Sequence, residues 1–242
     1  MDYLFLLILF VIAALYASVG HGGASGYLAL MALFGFEQYV MKSSALTLNL
    51  FVSGISFYSF YRKGHFKWKV LLPFIIGSIP MAFIGARLST EAHTYKIILG
   101  VFLLIAVSRM FYSPKGGFSE SKTPVFYLAV IIGAVVGFFS GMIGIGGGII
   151  LSPLLLLLHW SNVKETAGIS ALFIFLNSLA GLAGLYFNTH FEPSPNILLW
   201  AAVGLAGGFV GGYISNNKIS NYQLRYVLAS VLFIASLKLL IF

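Results

Sequence analysis

The chain never leaves apolar sequence for long: between Tyr3 and Phe242 no polar stretch exceeds about fifteen residues. Runs rich in Leu, Ile, Val and Phe at 3–19, 43–61, 68–88, 93–112, 124–143, 166–187, 195–215 and 221–241 are each long enough to cross roughly 30 Å of hydrocarbon as a helix. Backbone amides inside lipid must be satisfied within their own segment, so the expected fold is an all-α polytopic membrane protein. Composition agrees, with 60% of residues hydrophobic and 8% charged, against roughly a quarter charged in soluble domains. Mean hydropathy is +0.98. No sequence is left over for a soluble catalytic or nucleic-acid-binding domain. The net charge of +8 is dispersed in short loops beside the apolar runs, where it orients the chain and meets anionic lipid. The expected partners are therefore the lipid bilayer and a small substrate, with no nucleic acid. Absence of cysteine excludes disulfides, thiolate metal sites and cysteine nucleophiles. The opening MDYLFLLILFVIAALYASVG has no basic n-region and carries Asp2 as its early charge, so it reads as a mature helix, not a cleaved signal.

Two further apolar runs, 24–35 and 148–159, are too short to cross, reaching only about 18 Å as helix. Each follows a glycine cluster. Aligning VGHGGASGYLALMALFGF from Val19 with IGIGGGIILSPLLLLLHW from Ile143 places Gly20, Gly22 and Gly23 on Gly144, Gly146 and Gly147, an offset of 124 residues. Downstream, FIGARLS from Phe83 matches FVGGYIS from Phe209, and YKIILGVFLLIAVSRMF from Tyr95 matches LRYVLASVLFIASLKLL from Leu224. The same elements recur in the same order, which indicates a tandem duplication. Residues 1–112 form a first transmembrane repeat, 113–124 a hydrophilic cytoplasmic linker and 125–242 a second repeat.

Basic residues set the orientation. Loop 61–69 holds four Lys/Arg, the central link region holds Arg109, Lys115 and Lys122, and Lys218 follows later, so these are expected in the cytoplasm; loop 187–196 has none and is expected outside. The assignments agree only if each glycine-tipped helix and half-helix makes an even number of crossings. Each repeat is then a glycine-tipped hairpin plus three transmembrane helices, and the second copy is inverted. Inverted repeats with broken elements in matching positions are the architecture of secondary transporters, with the substrate near the midplane.

Consecutive glycines break a helix and free backbone N–H groups to point at a ligand, while a following helix N-terminus contributes about half a positive charge. Gly22 and Gly23 lead into 24–35, and Gly146, Gly147 and Gly148 lead into 149–159. Inversion would bring the two positive ends together, a site for an anion. The ladders Gly133–Gly137–Gly141 and Gly204–Gly208–Gly212 read instead as helix packing. GIGGG lacks the βαβ context of a dinucleotide fingerprint, and no GK[ST] follows for a Walker loop.

VGHGG and IGIGGG, each followed by a short apolar run, together with the two halves and the GARLS and GGYIS segments, resemble the sulfite exporter TauE/SafE family of membrane permeases across essentially the whole chain. The resemblance implies a secondary transporter, an exporter of sulfur-containing anions such as sulfite, sulfoacetate or related sulfonates, in the plasma (inner) membrane as a multi-pass protein. The first copy departs from the second in carrying Ala24 in place of the third glycine and His21 opposite Ile145.

Polar side chains inside apolar runs are expensive, so those present are informative. Ser43, Ser44, Thr47 and Asn49 open the third run, and Thr166, Ser170, Asn177 and Ser178 lie on its repeat mate. Hydroxyls and amides can donate to an oxyanion without burying a full charge, or else bond to their own helix carbonyls. The expected substrate-binding set is His21, Gly22, Gly23, Ala24, Ser25, Ser44, Thr47, Asn49, Gly146, Gly147, Gly148, Ser170 and Asn177. His21 makes H+ a candidate coupling ion, and a homodimer is a candidate assembly. His65 and His190 are expected to be solvated, Arg87, Lys96, Arg109, Arg225 and Lys238 to sit at helix ends, and Trp68, Trp160 and Trp200 to anchor at interfaces. No Asp or Glu falls inside the long runs, which argues against a cation pump. With no HExxH, GxSxG, carboxylate pair or cysteine in the spans, neither enzyme nor metal nor cofactor is expected. An anion channel of the same architecture and a carrier of carboxylates are the alternatives.

Overall fold

The computed structural model describes residues 3–18, 23–111, 123–188, 190–215 and 221–241. The described regular elements are all helices: α1 (Tyr3–Ser18), α2 (Ala24–Leu33), α3 (Gln38–Arg62), α4 (Trp68–Arg87), α5 (Ala92–Phe111), α6 (Phe126–Ile143), α7 (Gly148–Leu157), α8 (Val163–Phe187), α9 (Ile197–Ser215) and α10 (Asn221–Ile241). Of these, α3, α4, α6 and α8 combine the length and apolarity needed to cross a membrane. The half-helices α2 and α7 have ten residues each. His21, Gly22 and most of the 113–124 linker lie outside the described residues.

Two helices begin earlier than their apolar runs. Helix α8 starts at Val163 because Asn162 caps it: the Asn162 side chain accepts from the Glu165 N–H at 3.0 Å and the Glu165 carboxylate accepts from the Asn162 N–H at 3.2 Å. Helix α3 starts at Gln38. The earlier starts place Glu165, which precedes the apolar run 166–187, in the first turn of α8, paired with Lys67 at 2.8 Å. They also bring Lys42 inside α3.

Small residues let the backbones meet. Along α6, a methyl added at Gly137 would stand 2.5 Å from Ser78 Cα, one at Gly133 2.8 Å from Phe74 Cα, and one at Gly141 2.9 Å from Ala82 Cα. Gly77 and Gly85 of α4 reciprocate against the Val130 and Phe138 carbonyls. The first ladder is therefore the α4–α6 seam. The described members of the second ladder form no such seam: Gly208 has nothing within 4 Å and Gly204 only Leu48 and Tyr27 at 3.9 and 4.0 Å. Gly207 makes the close approach, to the Phe10 carbonyl of α1 at 2.5 Å. The side-chain surroundings of Gly212 lie outside the described residues. Elsewhere α3 packs on α8, α4 also on α8, and α5 on α10.

The interface-anchor expectation fails for two tryptophans. Trp200 is 2% exposed, with Phe5 and Phe36 at ring distances of 4.6 and 5.4 Å, and Trp160 is buried against Phe74; Trp68 is exposed. A residue near a helix end faces lipid only if no neighbouring element covers it, and here Phe5, Phe36 and Phe74 do. Lys238 likewise does more than sit at a helix end. Its ammonium donates to the Ala32 and Leu33 carbonyls at 3.2 and 2.8 Å, capping the C-terminus of α2. At one end of the molecule residues 190–196 fold over the start of α3, where the part-exposed His190 ring stacks on Tyr39 at 4.2 Å.

Candidate functional site in the α6–α7 loop

Helix α6 closes with a left-handed Gly144, φ +91°, and an Ile145 N–H bond back to the Ser140 carbonyl at 3.2 Å. Gly146 and Gly147 follow at φ +79° and +78°. An L side chain in this region costs about 1–2 kcal/mol per residue, so three positive-φ positions in four require the glycines the sequence supplies. Helix α7 then begins without any side-chain cap. Its first backbone bonds come from Ile150 and Leu151, both to the Gly147 carbonyl at 3.1 Å. The amides of Gly146, Gly147, Gly148 and Ile149 find no acceptor among the described residues. Residues 144–149 are all buried. Buried N–H groups are nearly always paired, and successive amides turned by left-handed glycines form a concavity suited to an anion.

Three buried polar side chains, each with an atom that lacks a hydrogen-bond partner, stand beside these glycines. Lys42 on α3 packs its Cα 3.1 Å from where a Gly144 side chain would begin, and its Nζ has no hydrogen-bond acceptor. Asn49, one to two turns on, has its amide nitrogen 2.8 Å from the Cβ position of Gly146; that nitrogen donates to Ser178 Oγ at 3.3 Å and to the Ile145 carbonyl at 3.4 Å, while its carbonyl oxygen is unpartnered. Ser140 lies 3.3 Å from the Cβ position of Gly147, with its hydroxyl unpartnered. A site assembled from α3, α6, α7 and α8 thus surrounds the loop.

The other expected residues divide. Ser170 meets Ser152 at 2.8 Å, and Ser152 donates to the Gly148 carbonyl at 2.7 Å, so Ser170 braces the first turn of α7. The Asn177 nitrogen donates to the Phe173 carbonyl at 2.8 Å, leaving its oxygen buried and unpaired. Ser44 accepts the Ser194 N–H at 3.0 Å and Ser43 the Glu192 N–H at 3.1 Å, which ties them to the 187–196 segment. Thr47 bonds back to the Ser43 carbonyl at 2.7 Å, and Thr166 pairs with Ser161 at 2.7 Å. At the other cluster Gly23 has φ −73°, unlike Gly147 at φ +78°, with which it aligns in sequence. Ala24 and Ser25 open α2, with Ser25 bonded to the Tyr16 hydroxyl at 2.6 Å, and the buried Tyr27 hydroxyl beside Gly23 is unpartnered. Ala24, Tyr27 and Leu28 share one apolar core with Ile143, Ile145 and Ile149, which flank the second cluster.

Sequence reasoning missed Lys42 and Ser140. Starting the run at 43 leaves Lys42 just outside it, although a lysine directly before Ser43 and Ser44 is the available signal. Ser140 precedes the glycine loop within an otherwise apolar run, and its place beside the loop was the available signal.

The sulfite exporter TauE/SafE family matches residues 5–239. A "probable membrane transporter protein" of Sinorhizobium fredii is 38% identical over 236 residues, covering 96% of this chain and 95% of its own. Proteins with the same description from Methanocaldococcus jannaschii and Bacillus subtilis are 28% and 26% identical, covering 98% and 96% of this chain and 95% of each relative. No solved structure matches the chain. With four helices able to span a bilayer, a buried loop of unpaired amides and a family match over nearly its whole length, the chain belongs to the sulfite exporter TauE/SafE family of membrane transporters.

Proposed function

We propose that this protein is a secondary transporter that exports a small sulfur-containing anion, such as sulfite or an organosulfonate, across the plasma membrane by alternating access. The observation that carries the reading is the row of four buried amides, from Gly146 to Ile149, with no acceptor among the described residues. An oxyanion supplies the missing acceptors, and the helix dipole of α7 favours its charge. Hydrogen bonds from neutral amides hold an anion without the irreversible grip of several salt bridges, which suits a site that must release its cargo.

Pairing of the helices supports two inverted halves, residues 1–112 and 125–242. Helix α4 packs on α6 and its repeat mate α9 packs on α1, while α3 packs on its own mate α8 and α5 on its mate α10. A two-fold exchange of five-helix halves generates this pattern. Rocking of one half against the other would then open the site alternately to either side, with the second anion-facing helix end supplied by residues 22–25. His21 is the group through which proton coupling would act.

The test is uptake of labelled sulfite, sulfoacetate, thiosulfate and acetate into proteoliposomes, with and without a pH gradient. The expected outcome is saturable flux with counterflow, fastest for sulfite. Unsaturable flux would favour a channel of the same architecture, and preference for acetate would favour a carboxylate carrier.

A further inference from the structure

Lys42 is the charged side chain that the described core buries completely. Its exposure is 0%, and no carboxylate, carbonyl or hydroxyl accepts from its Nζ. What surrounds it is aromatic: the Tyr39 and Tyr95 rings lie 5.8 and 5.7 Å from Nζ. Both rings are held in place. Tyr39 is stacked under His190, and the Tyr95 hydroxyl donates to the Ile143 carbonyl at 2.9 Å, one residue before the glycine loop. Cation–π contacts relieve part of the cost of burying an ammonium, but they leave its hydrogen-bond donors empty and its charge uncancelled. Gly144 is required both by its φ of +91° and by the closeness of the Lys42 backbone, so the lysine is rooted against the first residue of the glycine loop.

Resting on the anion reading above, we infer that Lys42 is the counter-charge of the transported ion, and that the site accepts a single negative charge. The cargo class is then a monovalent oxyanion such as a sulfonate, in preference to a dianion such as sulfate. The reasoning is charge balance in a medium of low dielectric. One buried ammonium cancels one negative charge, and the loop amides and the Asn49 nitrogen add partial positive charge but no second cation. A dianion would leave a net charge buried, at a cost far above that of the neutral pair. Among the described residues Lys42 alone is both charged and in the buried set.

The experiment uses the full chain in nanodiscs and proteoliposomes, with radiolabelled methanesulfonate as the probe and unlabelled methanesulfonate or sulfate as competitors. These two ions resemble each other in shape and differ by one unit of charge. In the wild type, methanesulfonate should compete at least about 10-fold better than sulfate. Lys42→Met, which keeps length and apolarity, should weaken methanesulfonate binding roughly 30-fold or more, the usual result of deleting one member of a buried charge pair. The empty Lys42→Met protein should unfold at the same or a higher temperature than wild type, because an unpaired buried charge has been removed, while the methanesulfonate-dependent rise in Tm disappears. Sulfate competing as well as methanesulfonate overturns the charge rule, and that comparison needs no variant. Lys42→Met binding within about 3-fold of wild type overturns the role of Lys42. Wild-type protein that takes up none of the anions named above overturns the anion reading itself, and this inference with it; normal sulfite uptake by Lys42→Met removes only the inference.

Discussion

Gly137 and Gly208 occupy the same position in two GxxxGxxxG ladders, yet the same substitution should act on them in opposite directions. Replacing a helical glycine by alanine gains about 0.5–1 kcal/mol from reduced backbone freedom in the unfolded chain. At Gly208 nothing lies within 4 Å of the new methyl, so that gain should appear almost undiminished. At Gly137 the methyl would meet the Ser78 Cα at 2.5 Å, its carbonyl carbon at 2.8 Å and its carbonyl oxygen, all of them backbone atoms that cannot rotate aside. Ordinary contact begins near 3.4 Å. The α4–α6 seam must therefore open by about 1 Å, and contacts at Gly77, Gly85, Gly133 and Gly141 loosen with it. Overpacking of this kind costs about 1–3 kcal/mol, which exceeds the propensity gain. Unfolding in mixed detergent micelles, followed by tryptophan fluorescence, reads the difference directly, since Trp160 packs on Phe74 of α4. The expected result is Gly137→Ala less stable than wild type by about 1–2 kcal/mol and Gly208→Ala slightly more stable. Equal stability of the two variants, or the reverse order, would refute the assignment of the seam.

Gly146→Ala should lower stability by about 1–2 kcal/mol through its left-handed φ and displace the Asn49 amide 2.8 Å away, so that uptake in proteoliposomes falls more than an equally destabilising change at the α4–α6 seam would cause. Asn162→Ala removes the cap of α8 and should cost about 1 kcal/mol in the same unfolding titration, with Asn162→Asp restoring most of it. Lys238→Met leaves the Ala32 and Leu33 carbonyls without their donor, and faster amide exchange should appear in the last turn of α2 while α7 is unaffected. Since the chain contains no cysteine, Lys63→Cys and Glu192→Cys can be labelled singly in inverted and right-side-out vesicles; Lys63→Cys should react only from the cytoplasmic side and Glu192→Cys only from the other.

The sequence by itself determined the solvent, the helical class and the two half-helices. Each is a property of local runs: about twenty apolar residues in succession leave no alternative to a helix in lipid, and consecutive glycines stop one. The tertiary structure alone decided which glycine ladder holds two backbones together. Gly137 and Gly208 are equivalent in pattern and differ only in whether a second backbone lies against them. The matched clusters also parted company, Gly147 taking φ +78° and Gly23 φ −73°. Likewise a lysine at the edge of an apolar run looks like an interface cation until Gly144, about a hundred residues further along the chain, is seen to receive its backbone and Tyr39 and Tyr95 to enclose its charge. Burial, and with it the cost of a charge or an unpaired amide, depends on neighbours brought from distant segments, and no local pattern encodes them.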